Sequence, residues 1–96
     1  MAVALPQNVL SEIIRLAEKH EIRKVTLFGS RARKTNRERS DIDLFVTGEN
    51  VDEFRFALDE ESETLLRFDV VDSSKAISDE LKAEIEKDGV VIYEKV

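Results

Sequence analysis

Two aspartates two residues apart are the first candidates for chemistry in this sequence. Asp41 and Asp43 lie in the strand-like segment 41–47, and residues at that spacing project from the same face of a β-strand. Ile42 and Leu44 then point into the core. Carboxylates so close raise each other's pKa unless a cation neutralises them. Mg²⁺, which binds through one or two carboxylates plus substrate phosphates, fits such a pair. A solvated edge-strand face is the common alternative for one pair alone.

A third aspartate lies inside another apolar segment. Asp69 stands between Phe68 and Val70, and burying a charge there is costly unless it is paired or binds a metal. If this strand lies beside segment 41–47, Asp69 joins the first two aspartates in one cluster. Three carboxylates that face an anion site would form a two-metal centre for phosphoryl transfer.

The candidate anion site is Gly29-Ser30, which follows the apolar segment Lys24–Phe28. Glycine lets a ligand approach the backbone closely. The first N–H groups of a short following helix would favour an anion, and the Ser30 hydroxyl could donate to a phosphate oxygen. A lone Gly-Ser pair is more often an ordinary helix N-cap. The pair therefore indicates an anion site only in combination with the three aspartates.

Short elements of alternating type must position these residues. The apolar spacing and turn residues predict the order α-β-(short α)-β-α-β-α-β. The predicted helices cover about residues 7–20, residues 51–66, and a segment from an N-cap at Ser78 to Gly89. The predicted strands cover residues 24–28, 41–47, 67–72 and 90–93. The predicted fold class is therefore α/β (α+β), a small sheet with helices packed on it.

Composition limits the classes of site that are possible. Ninety-six residues predict one domain, over residues 1–96. The absence of cysteine excludes disulfides, thiolate metal sites and a cysteine nucleophile, and a single histidine, His20, argues against a histidine-rich zinc site. No segment has the length and apolar content of a membrane span or a signal peptide, so we expect a cytoplasmic protein with no membrane partner.

The charge distribution favours a small anionic ligand over a nucleic acid. The net charge is −6, which makes direct binding of duplex nucleic acid unexpected. Five basic residues nevertheless fall within positions 31–39. This basic run is either a ligand contact or a solvated loop.

Together the motifs resemble a known family. Leu27-Phe28-Gly29-Ser30-Arg31-Ala32-Arg33, followed by Ser40-Asp41-Ile42-Asp43-Leu44, resembles the nucleotidyltransferase superfamily typified by DNA polymerase beta. The pattern of that superfamily is Gly-Ser, about ten residues, then Asp-x-Asp. Within it the chain is most similar to the minimal nucleotidyltransferases of bacteria and archaea.

The resemblance assigns nucleotide contacts to the first motif. It implies that Gly29 and Ser30 hold the triphosphate of ATP, with Arg31 and Arg33 as further phosphate contacts. The family usually has glycine after Arg-Ala-Arg, where this chain has Lys34. A lysine resists positive φ, so the departure bears on the geometry of this loop.

The resemblance also implies a mixed sheet, the polymerase-beta-like nucleotidyltransferase fold, and a Mg²⁺-dependent transfer of a nucleoside monophosphate. In this reading Asp41 and Asp43 bind two Mg²⁺ ions, with AMP from ATP as the transferred group. Asp69 completes one metal site and helps to deprotonate the attacking hydroxyl.

Relatives of this size imply a protein partner. Minimal members are typically encoded beside a small helical HEPN protein, and the pair forms a toxin–antitoxin system. The resemblance thus implies an antitoxin that transfers AMP to a hydroxyl of a HEPN-type toxin. Phe56, which lies off the apolar stripe of its helix, or the strand over 90–93 would lie in the interface. A homo-oligomer is a further possibility.

Two alternatives to this function stay open. The first is an antitoxin that acts by binding and occlusion only. The second is a small-molecule transferase, similar to aminoglycoside nucleotidyltransferases, that needs a helical partner or a dimer to form its acceptor pocket.

Overall fold

The computed structural model of the protein describes residues 4–95, so residues 1–3 and 96 of the expected single domain lie outside the described part. The eight elements follow the predicted order. They are α1 (Gln7–Lys19), β1 (Lys24–Phe28), α2 (Ser30–Arg33), β2 (Ile42–Thr47), α3 (Val51–Glu61), β3 (Phe68–Asp72), α4 (Asp79–Asp88) and β4 (Val90–Glu94). Within residues 4–95, no helix combines the length and the apolar content needed to cross a bilayer.

The four strands form one mixed sheet in the order β3-β2-β1-β4. β1 runs antiparallel to both β2 and β4, whereas β2 and β3 are parallel. The mixed α+β sheet implied by the resemblance is thus confirmed. β2 is an interior strand, so the alternative of an edge-strand face is wrong for Asp43. Asp41, which was expected in the same strand, directly precedes β2 and is exposed.

One face of the sheet packs against α1 and α3 to form the core. Alternate residues of β2 are buried, and Ile42 and Leu44 are fully so. Phe54 of α3 and Leu16 of α1 are fully buried against them. Asp43 lies on the opposite face, because successive strand residues point to opposite sides of a sheet. The expectation that Ile42 and Leu44 point inward while Asp43 points outward is confirmed.

The other face of the sheet is partly covered by α4, which has no buried residue of its own. Ser78 is the N-cap as expected, since its Oγ accepts a hydrogen bond from Leu81 N at 3.1 Å. At the far end, a Cβ at Gly89 would collide with the carbonyl oxygen of Ile85 and lie 2.8 Å from Thr26 Cγ2. The end of α4 therefore packs closely on β1.

The third helix is shorter than predicted. α3 ends at Glu61, and Leu65, expected on its apolar stripe, is 99% exposed. The segment after Glu61 makes local bonds instead, from Thr64 N to Ser62 Oγ at 3.3 Å and from Leu66 N to Thr64 Oγ1 at 3.1 Å. Such side-chain bonds to the backbone compete with the helix.

Candidate active site

The two sequence motifs and the third aspartate meet at one end of the sheet. Phe28, the last residue of β1, is paired with Asp43 of β2, and Asp43 is paired with Asp69 of β3. The antiparallel pair places the end of β1 beside the start of β2, and the parallel pair places the start of β3 next to it. The expectation that the third strand lies beside the second is confirmed.

Gly29 has a backbone that a side chain would not tolerate. Its φ of 74° and ψ of −156° lie in a region that is essentially restricted to glycine. A Cβ there would collide with Asp43 Oδ2 and lie 3.1 Å from Asp43 Cγ. The space beside Gly29 is thus taken by an aspartate carboxylate. The sequence predicts a close approach by a ligand at this position, whereas in the structure the approaching group is Asp43.

Ser30 is the first residue of α2 and not its cap. Gly29 is the N-cap, and its carbonyl accepts hydrogen bonds from the N–H groups of Ala32 and Arg33, each at 3.1 Å. The N-cap alternative for the Gly29-Ser30 pair is therefore confirmed, with Gly29 as the capping residue. Because α2 has only four residues, its N-terminus makes a smaller contribution to anion binding than the sequence suggested.

Asp43 is at the centre of a group of negative charges. The pKa of this carboxyl is raised to about 6, chiefly by burial and then by the neighbouring carboxylates of Asp69, Asp41 and Glu84 in that order, while Arg33 opposes them. A half-buried carboxylate facing others of the same sign is stabilised by a cation. The charge arrangement thus suits a cation at Asp43.

Asp69 differs from the expectation in its burial. It is exposed, because β3 is an edge strand and Asp69 points away from the core. Because Asp69 is exposed, the cost of burying its charge gives no reason to expect a metal there. The better support for Asp69 as a site residue is that it is paired with Asp43 in the sheet. Within residues 4–95, no three His, Cys, Asp or Glu side chains are gathered into a ready-made metal site, so the three aspartates would have to draw together around a cation.

Arg33 bridges α2 and α4. Its Nη1 lies 3.4 Å from Glu84 Oε2 and 3.9 Å from Asp88 Oδ2, and its side chain is 40% exposed. The sequence analysis did not select Glu84 or Asp88. They are one helical turn apart on α4, but nothing local indicates that this face of α4 meets α2.

Arg31 is placed quite differently from Arg33. It is only 4% exposed, and its three nitrogens donate to the backbone carbonyls of Ala4 at 2.7 Å and of Glu38 and Ser40 at 3.1 Å each. A guanidinium committed to these carbonyls does not face an incoming phosphate. The structure therefore gives no support to Arg31 as a phosphate contact.

Lys34 adopts the conformation that its glycine counterpart would favour. Its φ is 62° and its ψ is 31°, in the left-handed region, and it ends α2. The substitution therefore leaves the turn intact.

Comparison with known proteins identifies relatives of this arrangement. A family model described as Polymerase beta, Nucleotidyltransferase matches residues 11–96. No curated protein sequence matches significantly.

Several solved structures share the fold, among them three toxin-antitoxin structures. The first, a toxin-antitoxin with AMP-PNP, has 23% identity and a TM-score of 0.70, over 90% of this chain and 73% of that one. The second, a mutant of the toxin-antitoxin MntA-HpeT with two Asp-to-Glu substitutions, has 21% identity and a TM-score of 0.69, with the same coverage. A Tyr-to-Ala mutant of MntA-HpeT has 25% identity and a TM-score of 0.66, over 88% of this chain and 72% of that one.

Proposed function

The chain belongs to the polymerase beta nucleotidyltransferase family, and on that premise we propose that it transfers AMP from ATP to a hydroxyl group of a partner protein. The observation that carries this proposal is the row formed by Gly29, Asp43 and Asp69. It sets the loop after β1 beside carboxylates on one face of the sheet. Catalysis of phosphoryl transfer is mostly positioning and charge stabilisation, and this row can supply both.

Asp41, Asp43 and Asp69 would hold two Mg²⁺ ions in this proposal. Their fit rests on carboxylate oxygens, the ligands Mg²⁺ prefers, and on the raised pKa of Asp43, about 6, which reflects burial and neighbouring acids. When bound there, Mg²⁺ would neutralise charge on the triphosphate and lower the pKa of the attacking hydroxyl.

The chain's own residues accept the proton and hold the triphosphate during the transfer. The acceptor oxygen forms a bond to the α-phosphorus, the bond from that phosphorus to the bridging oxygen breaks, and pyrophosphate leaves. Asp69, which is exposed to an incoming acceptor, takes the hydroxyl proton and releases it to solvent. Gly29 and Ser30 hold the triphosphate, and Arg33, partly exposed beside Glu84, exchanges that carboxylate for a phosphate oxygen.

A toxin is the proposed acceptor. The structural neighbours are toxin-antitoxin structures, one of them with AMP-PNP, which supports both a toxin partner and an adenine nucleotide. We infer a small helical protein of the HEPN type. Phe56 is 66% exposed on α3, and an exposed aromatic ring is a frequent interface anchor.

Intact-mass spectrometry tests this function. The chain is co-purified with the proposed small helical partner and incubated with Mg²⁺ and ATP. We expect the partner to gain the mass of one AMP residue with wild type and with Asp59→Asn, a charge-matched control on the exposed side of α3. We expect no gain with Asp43→Asn.

The other outcomes decide between the alternatives. A tight complex without any mass gain in wild type would leave occlusion as the function. A gain that persists in Asp43→Asn would show that the chemistry takes place elsewhere. AMP found only on an added aminoglycoside would favour the small-molecule transferase.

A further inference from the structure

Arg31 is a charged side chain in an unusual place. Among residues 4–95 it is the one buried charged residue, and no carboxylate in this range forms an ion pair with it. A buried guanidinium is costly unless its N–H groups are bonded. Here three backbone carbonyls supply those bonds. A residue so placed holds backbone in position.

The carbonyls that Arg31 binds belong to two segments that are far apart in sequence. Arg31 follows Gly29-Ser30 directly in α2, and two of its acceptors, Glu38 and Ser40, belong to the return segment over residues 34–41. Ser40 directly precedes Asp41. The third acceptor, Ala4, lies before α1 and is 27 positions away in sequence.

The return segment has few other ties to the rest of the fold. It contains no helix or strand, and most of its residues are exposed. Its own bonds are local ones, from Arg37 N to Ser40 Oγ at 2.8 Å, from Ser40 N to Arg37 O at 3.1 Å and from Thr35 N to Ser30 O at 2.9 Å. The Arg31 guanidinium is therefore its main link to the core.

We propose that Arg31 is a positioning residue. Its hydrogen bonds fix the backbone at Glu38 and Ser40, and this backbone in turn holds the Asp41 carboxylate beside Asp43 and in a fixed position relative to the Gly29-Ser30 loop. This inference rests on the proposed function in one respect, which is the role of Asp41 in the site. The two arginines of the basic run then have different roles. In the proposed function Arg33 contacts a phosphate oxygen, whereas Arg31 fixes the backbone of the return segment.

Arg31→Lys is the variant that tests the role. An ammonium keeps the charge but presents a single nitrogen, which cannot replace three guanidinium nitrogens that bond to three separate carbonyls. We expect kcat for AMP transfer to fall about tenfold to a hundredfold, since small displacements of catalytic groups have effects of this size. We expect KM for ATP to stay within about twofold, because Arg31 does not touch the nucleotide.

Arg39→Lys is the matched control. Arg39 is exposed in the same segment, and we expect wild-type kcat and KM. In hydrogen–deuterium exchange we expect residues 36–42 to exchange faster in Arg31→Lys and unchanged in Arg39→Lys. A wild-type kcat with wild-type exchange in Arg31→Lys overturns the inference, and so does a large rise in KM for ATP with kcat unchanged.

A measurement on the unmodified chain covers the case in which Arg31→Lys does not fold. In a ¹⁵N NMR spectrum we expect the Arg31 Nε–H to be protected from solvent exchange, and to stay protected when ATP is added without metal. An Arg31 Nε–H that exchanges as fast as those of Arg33 and Arg39, or that loses protection on ATP binding, overturns the inference. The proposed function fails separately, if wild type transfers no AMP while Arg31 remains protected.

Discussion

At the residue scale, the contact between Gly29 and Asp43 joins the two motifs. The loop glycine is buried, and its missing Cβ leaves room for the Asp43 carboxylate. Ten residues of sequence separate Ser30 from Asp41, yet the strand pairing brings their neighbours into contact. The glycine is thus required by the protein itself, before any nucleotide binds.

Gly29→Ala should therefore destabilise the protein even without ligand. We expect a loss of about 2–4 kcal/mol in the free energy of unfolding, from the strained φ and the collision with Asp43 together. Urea denaturation measures it. In the double variant with Asp43→Ala, the collision is removed and the strained φ remains. The combined loss should then be about 1 kcal/mol smaller than the sum of the single losses, and strict additivity would contradict the contact.

Asp43 should also make stability depend on pH. The pKa of this carboxyl is about 6 in the folded chain, against 3.8 for an ordinary aspartate. Between these values the folded chain keeps a proton that the unfolded chain releases, so stability falls as pH rises through this window and is constant on either side. Asp43→Asn removes this dependence.

The expected result is a variant that is more stable than wild type at pH 7 and equal to it near pH 3.5. Because the carboxyl is half-exposed, solvent screening reduces the gain at pH 7 to on the order of 1 kcal/mol. Thermal unfolding of both proteins across this range, without metal, measures the difference. A constant difference at all pH values would show that Asp43 is not the titrating group.

Lys34 offers a third test at this scale. Its left-handed φ of 62° is unfavourable for a residue with a Cβ and favourable for glycine. Lys34→Gly should stabilise the protein by about 0.5–1 kcal/mol, which for a chain of this size raises Tm by a few degrees. Lys34→Ala, which keeps the Cβ, is the control and should show no comparable gain.

At the element scale, the stability of α4 depends on the contacts at its two ends. It buries no residue in the core, but it carries Glu84 and Asp88, which face Arg33. Its first turn is capped by Ser78, and Gly89 packs its last turn against Thr26 of β1. A helix with this little burial relies on such local contacts.

Ser78→Ala should loosen α4 selectively. We expect a loss of about 1 kcal/mol and faster hydrogen–deuterium exchange in residues 79–88, with the core strands unchanged. Ser78→Thr retains a capping hydroxyl and should behave almost as wild type. If both variants exchange alike, the cap does not stabilise this helix.

At the scale of the whole molecule, three large apolar side chains within residues 4–95 remain exposed after folding. Besides Leu65, two of them lie at the surfaces expected in the interface. One is at Phe56 on the outer side of α3, and the other is at Val91 of the edge strand β4, which is 46% exposed. In the complex that we propose, at least one of them is covered by the partner. Phe56→Ser or Val91→Ser should then weaken the complex at least tenfold, as expected for an interface anchor. Isothermal titration calorimetry measures the affinity of each variant for the partner. Unchanged affinity in both variants would place the interface elsewhere.

Much of the fold follows from the sequence alone. The order of all eight elements, the alternation in β2 that buries Ile42 and Leu44, and the cap at Ser78 depend on near neighbours in the chain. Side-chain periodicity and local hydrogen bonding act over a few residues, so the residue types suffice. The spacing of the two motifs likewise identifies Gly29, Ser30, Asp41 and Asp43 as candidate site residues.

Other features were decided only by the tertiary structure. The pairing of β2 with β3 sets Asp69 opposite Asp43, and the packing of α4 brings Glu84 to Arg33. Arg31 and Arg33 look equivalent in the basic run, yet one is buried among carbonyls and the other is exposed. Such differences arise from contacts between residues far apart in sequence, whose free energy depends on the whole packed arrangement, so no local pattern contains them.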